Sequence, residues 1–145
     1  MEQDVVALET MIGYRLKEAQ AVLRSLLDQA LRPLGLTTAQ YACLELLSRT
    51  PGASNSELAR GAFVTRQTMN TLLRSLHDRG LVERATEAPT GRALPTTLTA
   101  EGKHLLAEAA KNTKIIERQM VSTLNSGQRN DLHHALTSCI EALRG

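Results

Sequence analysis

Apolar residues recur three or four positions apart from Asp4 to about Arg32, at Val5, Leu8, Ile12, Leu16, Ala19, Leu23, Leu26 and Ala30. This spacing predicts one long amphipathic helix, ended by Pro33 and Gly35. At about 1.5 Å per residue such a helix reaches ~40 Å, more than a small domain covers. Part of its apolar stripe therefore calls for a second chain, and the segment reads as a dimer arm.

Three shorter helices follow. Thr37-Thr38-Ala39-Gln40 has the spacing of a capping box and opens a helix that runs to about Ser48. Pro51-Gly52 breaks the chain, and Ser54-Asn55-Ser56-Glu57 repeats the capping-box spacing to start a third helix that ends near Gly61. Thr65 is a good N-cap for a fourth helix, whose apolar stripe is Met69, Leu72, Leu73 and Leu76. On 100° per residue, Gln67, Thr71, Arg74 and Asp78 point away from that stripe, Asn70 flanks them, and Arg66 sits at the helix opening. Gly80 closes the helix.

Leu81 to Ala85 and Leu94 to Leu98 are strand candidates around a loop containing Pro89 and Gly91, with Pro95 marking an edge or an irregularity. Thr99 caps a long helix carrying Leu105, Leu106, Ala109, Ile116, Met120 and Leu124, interrupted at Asn125-Ser126-Gly127. A last helix carries Leu132, Ala135, Leu136, Cys139 and Leu143. The run of short helix, turn, amphipathic helix and hairpin is the order of a winged helix-turn-helix, so double-stranded DNA is the expected partner. The fold class is mostly α (α+β), with one domain spanning 1–145. Residues 37–99 are expected to form the DNA-binding lobe, with the dimer arm in 1–36 and the two closing helices in 100–145.

Composition narrows the picture. A chain of 145 residues is the size of one domain. Aromatic content of 2% leaves a core of aliphatic side chains and methionine. No apolar run approaches the ~18 residues needed to span a bilayer, and a signal peptide is absent, so no membrane partner and a cytoplasmic location are expected. A net charge of +2 says little about partners, but between Ser54 and Pro95 every basic residue is an arginine, whose planar fork suits phosphates and guanine edges.

The motifs Leu34-x-Leu36-Thr37-x-x-Gln40, Ser54-x-x-Glu57-Leu58-Ala59, Leu76-x-x-x-Gly80-Leu81-Val82-x-Arg84 and Leu98-Thr99-x-x-Gly102 stand in order along the chain. Together they resemble the signature of the multiple antibiotic resistance regulator (MarR) family. The resemblance implies a homodimer whose first and last two helices interlock, a pseudo-palindromic operator, and no chemistry, catalytic residue or cofactor. It places the helix from Thr65 to Arg79 in the major groove and Arg92 of the wing on the minor groove or backbone. Where many members of the family carry an acidic residue two before that arginine, this chain has Thr90.

The candidate DNA contacts are accordingly Thr65, Arg66, Gln67, Thr68, Asn70, Thr71, Arg74 and Arg92. Arginine can bind guanine, and glutamine or asparagine can bind adenine, in bidentate fashion. The alternative for each is a solvated helix face. The resemblance also implies a small-molecule effector between the dimer arms and the DNA-binding lobe; Met11, Tyr14, Arg15 and Tyr41 lie on the helices expected there, with core packing as the competing role.

Cys43 and Cys139 form no CxxC pair and read as reduced thiols. A redox-sensing regulator would need an exposed thiolate of depressed pKa. His133 and His134 project about 100° apart on a helix, a poor geometry for joint metal binding, so no metal site is expected. No P-loop, nucleophile elbow or spaced metal-ligand set points to an enzyme. The expected function is a homodimeric, sequence-specific transcriptional repressor relieved by a small molecule. Two alternatives stand beside it: a winged-helix protein interaction module without base reading, and a cysteine-based redox sensor.

Overall fold

A computed structural model describes residues 7–85 and 95–145. Its helices are α1 (Ile12–Leu31), α2 (Thr38–Arg49), α3 (Asn55–Ala62), α4 (Arg66–Asp78), α5 (Ala100–Met120) and α6 (Ser126–Arg144). Strands β1 (Val82–Arg84) and β2 (Thr96–Leu98) pair antiparallel, with Val82 opposite Leu98 and Arg84 opposite Thr96. The mostly helical winged architecture expected of the sequence is present.

Helix starts follow the capping chemistry. Thr37 accepts from the Gln40 N–H at 3.1 Å while the Gln40 side chain takes the Thr37 N–H at 3.0 Å, a complete capping box. At α3 only half of the expected box forms: Ser54 accepts from the Glu57 N–H at 3.1 Å, and the Glu57 side chain does not reach back. Asn125, expected only to interrupt a helix, makes a complete box with Gln128 and so begins α6.

Two expectations are corrected. The first helix does not run unbroken to Arg32 from upstream of Leu8. Leu8–Thr10 is a single 3₁₀ turn closed by the Thr10 hydroxyl on the Ala7 carbonyl at 2.7 Å, and Met11 is extended, so α1 begins at Ile12. Its 20 residues span about 30 Å at ~1.5 Å each. Helix α3 ends at Ala62, near Gly61 as expected; Gly61 itself lies inside the helix, where an added Cβ would press on the Leu46 side chain at 2.9 Å, and the left-handed residue that turns the chain is Phe63, at φ 59°. Leu124 does not belong to the fifth helix, which stops at Met120.

The core lies where α2, α3 and α4 meet the start of α5 and the base of the hairpin. Leu31, Leu44, Leu47, Leu58, Met69 and Leu76 are almost completely buried there. The hairpin is tied back to the turn after α2 by Gly52 N–H donating to the Thr96 carbonyl at 3.0 Å. Pro95 behaves as its missing N–H requires: it precedes β2 and supplies its carbonyl to Ala85 N–H at 2.9 Å. By contrast, every residue of α6 is exposed, and α1 buries only Leu31 fully.

Two contacts join the lobe to its long helices. Thr99 donates its hydroxyl to the Gly80 carbonyl at 2.6 Å and its N–H to the Leu81 carbonyl at 3.1 Å, and its oxygen caps Gly102 N–H at 3.0 Å. Here α5 starts so close to the end of α4 that a Cβ on Gly102 would stand 2.0 Å from the Leu81 carbonyl oxygen. On the other side, Asp28 of α1 accepts the Thr38 N–H at 3.3 Å and the Thr38 hydroxyl on the same oxygen. That hydroxyl bond, ahead of the Arg24 and Arg32 charges, holds the Asp28 carboxyl below its ordinary value against a smaller opposing effect of burial.

Gly102→Ala is expected to destabilise the protein by about 3 kcal/mol, because the obstacle is backbone that cannot swing aside. A denaturant melt within ~0.5 kcal/mol of the original protein would contradict the packing described. For Asp28 the folded pKa is depressed, so its contribution is present above the ordinary carboxylate value, about 3.9, and is lost as pH falls through the lower folded value. Asp28→Asn should therefore be the less stable protein at neutral pH and lose that difference in strong acid, as read by denaturant melts across pH; a gap that persists unchanged in acid contradicts this.

Candidate nucleic-acid interface

Helix α4 turns Met69, Leu73 and Leu76 into the core and leaves Arg66, Gln67, Thr68, Asn70, Thr71 and Arg74 exposed on its outer side. Thr65 caps it, accepting from Thr68 N–H at 3.1 Å and donating its hydroxyl to the Thr68 oxygen at 3.0 Å. The remaining free N–H groups of the first turn, with the positive end of the helix dipole, make this end receptive to an anion such as a phosphate. The structure thus brings seven of the eight expected contact residues onto one element. Arg92, the eighth, lies outside the described residues.

The hydrogen bonds on this face sort its residues by what they still offer. No described carboxylate lies within ion-pair distance of Arg66, Arg74 or Arg84, so these guanidinium groups keep their full donor capacity. Gln67 makes no side-chain hydrogen bond among the described residues, whereas its backbone carbonyl accepts the Thr71 hydroxyl at 3.2 Å. Asn70 is engaged by Asn55 of α3. Arg79, though also on this helix, is committed elsewhere: its guanidinium donates to the Gly35 carbonyl at 2.6 Å and to the Leu34 carbonyl at 3.4 Å.

Sequence reasoning missed the partner of this face. A cavity of about 260 Å³ lies between α4 and the base of the hairpin, lined by Asn70, Arg74 and His77 from the helix and by Arg84 and Thr96 from the strands. Arg74 and Arg84, neither ion-paired among the described residues, stand on opposite walls and make the cleft positive. Arg84 was legible as a strand residue, but its convergence with Arg74 depends on how the hairpin folds against α4. Phe63, 86% exposed in the turn before α4, is a second residue no periodicity singled out.

The four residues expected to line an effector pocket are not gathered at one site. A groove of about 530 Å³ runs between α1 and α5, lined by Arg15, Glu18, Val22, Leu23, Leu26, Ile116 and Met120 among others, and of the four only Arg15 reaches it. There it is paired with Glu18 at 2.6 Å. Tyr41 is part of the fabric between α2 and α5: its oxygen accepts from the Thr113 hydroxyl at 3.0 Å and donates to Glu45 at 3.4 Å, and burial raises its pKa. Met11 and Tyr14 are exposed near the start of α1.

The two cysteines stand in different environments. Cys43 is completely buried against the Met69 sulfur at 3.7 Å, and burial pushes its thiol up to about 12, so it carries no thiolate at neutral pH. Cys139 stands exposed on α6, far along the chain from it.

The model of the MarR family matches residues 34–93. The HTH-type transcriptional repressor Rv2887 of Mycobacterium tuberculosis is 41% identical over 131 residues, covering 90% of this chain and 94% of that protein. Its crystal structure in complex with DNA superposes with a TM-score of 0.72 at 38% identity, over 90% of this chain and 98% of that one. Its complex with salicylic acid gives the same score at 41% identity, over 90% and 96%. The transcriptional repressor CouR, bound to a 23-mer DNA duplex, is 28% identical with a TM-score of 0.84, over 97% and 99%.

Proposed function

The chain belongs to the MarR family, and we propose that it acts as a homodimeric, sequence-specific DNA-binding transcriptional repressor whose grip on its operator is relieved by a small molecule. One observation carries the DNA-binding part: the exposed face of α4 joins unpaired Arg66 and Arg74 to the amide of Gln67, with Arg84 across a positive cleft. Arginines at a cleft position a duplex through its phosphates, and amides read base edges. The relatives crystallised on DNA support the same assignment.

On this reading Arg66, Gln67, Asn70 and Thr71 face bases, Thr65 and Thr68 sit at the phosphate-receptive end of α4, and Arg74 grips the backbone. Arg92 reaches the adjacent minor groove or backbone from the wing. Residues 37–99 form the DNA-binding lobe, while 1–36 and 100–145 form the dimer. Leu132, Leu136, Ile140 and Leu143 leave an apolar stripe exposed along α6, as do Ile12, Leu16 and Val22 along α1, and a second copy is the natural cover for both. Two-fold symmetry then sets half-sites about one helical turn apart, and binding rather than turnover is the activity.

Among the described residues no helix is long and apolar enough to cross a membrane, consistent with work on cytoplasmic DNA. The effector is an organic acid of the kind Rv2887 was crystallised with, and it acts by preferring a dimer in which the two α4 helices are wrongly spaced. The groove between α1 and α5 is the apolar concavity nearest that role.

The test is selection of bound duplexes from a random pool, with the size of the free protein measured in solution. A symmetric motif and a dimer are expected. Arg74→Ala and Arg84→Ala should each weaken binding to all sequences alike and lower the slope of log affinity against log salt by about one. Gln67→Ala should instead cost about 1–3 kcal/mol at one base pair per half-site. No enrichment over random duplex, or equal affinity of all three variants and the original, would overturn the assignment and leave a protein interaction module.

A further inference from the structure

Asn70 stands on the outer face of α4 and its amide is already engaged. Asn55, the first residue of α3, donates its Nδ2–H to Asn70 Oδ1 across 15 positions of sequence. The other end of the Asn55 amide, Oδ1, is buried without a hydrogen-bond partner among the described residues. That orphan decides which way round the pair stands. Turning both amides over would join Asn70 Nδ2 to Asn55 Oδ1, but it would place the Asn55 NH₂, with two donors to satisfy, where a single acceptor is now buried. Unpaired buried N–H groups are the rarer and costlier of the two. Asn70 therefore commits its oxygen to the protein and keeps its nitrogen for whatever lies against α4.

A free asparagine reads adenine with both ends of its amide, donating to N7 and accepting from N6. With its oxygen held toward α3, Asn70 presents a donor alone. We propose that Asn55 is a positioning residue that sets the base preference of Asn70, converting an adenine reader into a reader of keto groups. This rests on the DNA-reading function proposed above. In the major groove a lone donor finds acceptors at guanine O6 and N7 and at thymine O4; adenine offers it N7 but sets the N6 amino group beside it, and cytosine offers an amino group only.

Asn55→Asp supplies the test, because it swaps the donor that faces Asn70 for an acceptor. Asn70 then turns its nitrogen toward α3 and shows its oxygen to the duplex. An acidic residue in the first turn of α3 suits the helix dipole, so the fold is retained, as a thermal melt will register. Selection from a random duplex pool is expected to give, for the original protein, guanine or thymine over adenine or cytosine at one position of each half-site, by roughly tenfold. Asn70→Ala should erase that preference and no other. Asn55→Asp should reverse it at the same position, and Asn55→Ala, which frees both ends of the amide, should move it to adenine.

A profile that Asn55→Asp leaves unchanged, or weakens evenly at every position, overturns the inference, as does an Asn70→Ala profile matching the original. If the original protein enriches a motif but Asn55→Asp does not reverse it, this inference alone fails. If the original enriches nothing, the DNA-reading function fails and takes this inference with it.

Discussion

The arrangement of the molecule depends on one close approach, that of the first turn of α5 to the backbone at the end of α4. Only a hydrogen at the Gly102 position lets the two backbones meet, since a Cβ would stand 2.0 Å from the Leu81 carbonyl oxygen. Thr99 then uses hydroxyl and amide alike to bind Gly80 and Leu81, while Gly80 itself, at φ 74°, turns the chain out of α4. One junction thus fixes the end of the DNA-facing helix, the base of the hairpin and the origin of a 21-residue helix. Because backbone rather than side chain sets the distance, there is little slack to absorb a shift.

That rigidity has a functional meaning for a protein read as a two-fold DNA binder. The separation of two α4 helices in a dimer is set by how each lobe hangs from its long helices, and a displacement of either is felt as a mismatch with the duplex. The Asp28–Thr38 contact holds the other side of the lobe to α1, so the lobe is suspended at two points. An effector bound near α1 and α5 would act on both supports. Couplings of this kind amount typically to ~1–3 kcal/mol, enough to release an operator without unfolding anything.

The interface also shows how a helix divides its labour. Arg79 is spent on holding the turn at Leu34 and Gly35, and Met69, Leu73 and Leu76 on the core. What remains outward is polar, largely unpaired and backed by Arg84 across the cleft. The low net charge of +2 is no obstacle, because the field that matters is local: Arg66, Arg74 and Arg84 stand where the duplex is proposed to lie.

Local chemistry was readable from the chain because it acts over a few residues. The capping box at Thr37, the apolar stripe of α4, the hairpin with its displaced Pro95 and the exposed face from Thr65 to Arg74 all follow from spacing and from the donors that a helix end leaves free. The break at Met11, the place of Gly61 inside α3 and the left-handed Phe63 did not, since each is decided by a neighbour distant in sequence or by a turn that propensity alone does not specify. The burial that silences Cys43, the meeting of Arg74 with Arg84 and the clasp of Asn55 on Asn70 were likewise left to the tertiary structure. Spacing along a chain reports which side of a helix a residue occupies, but only packing brings two such sides within reach of one hydrogen bond.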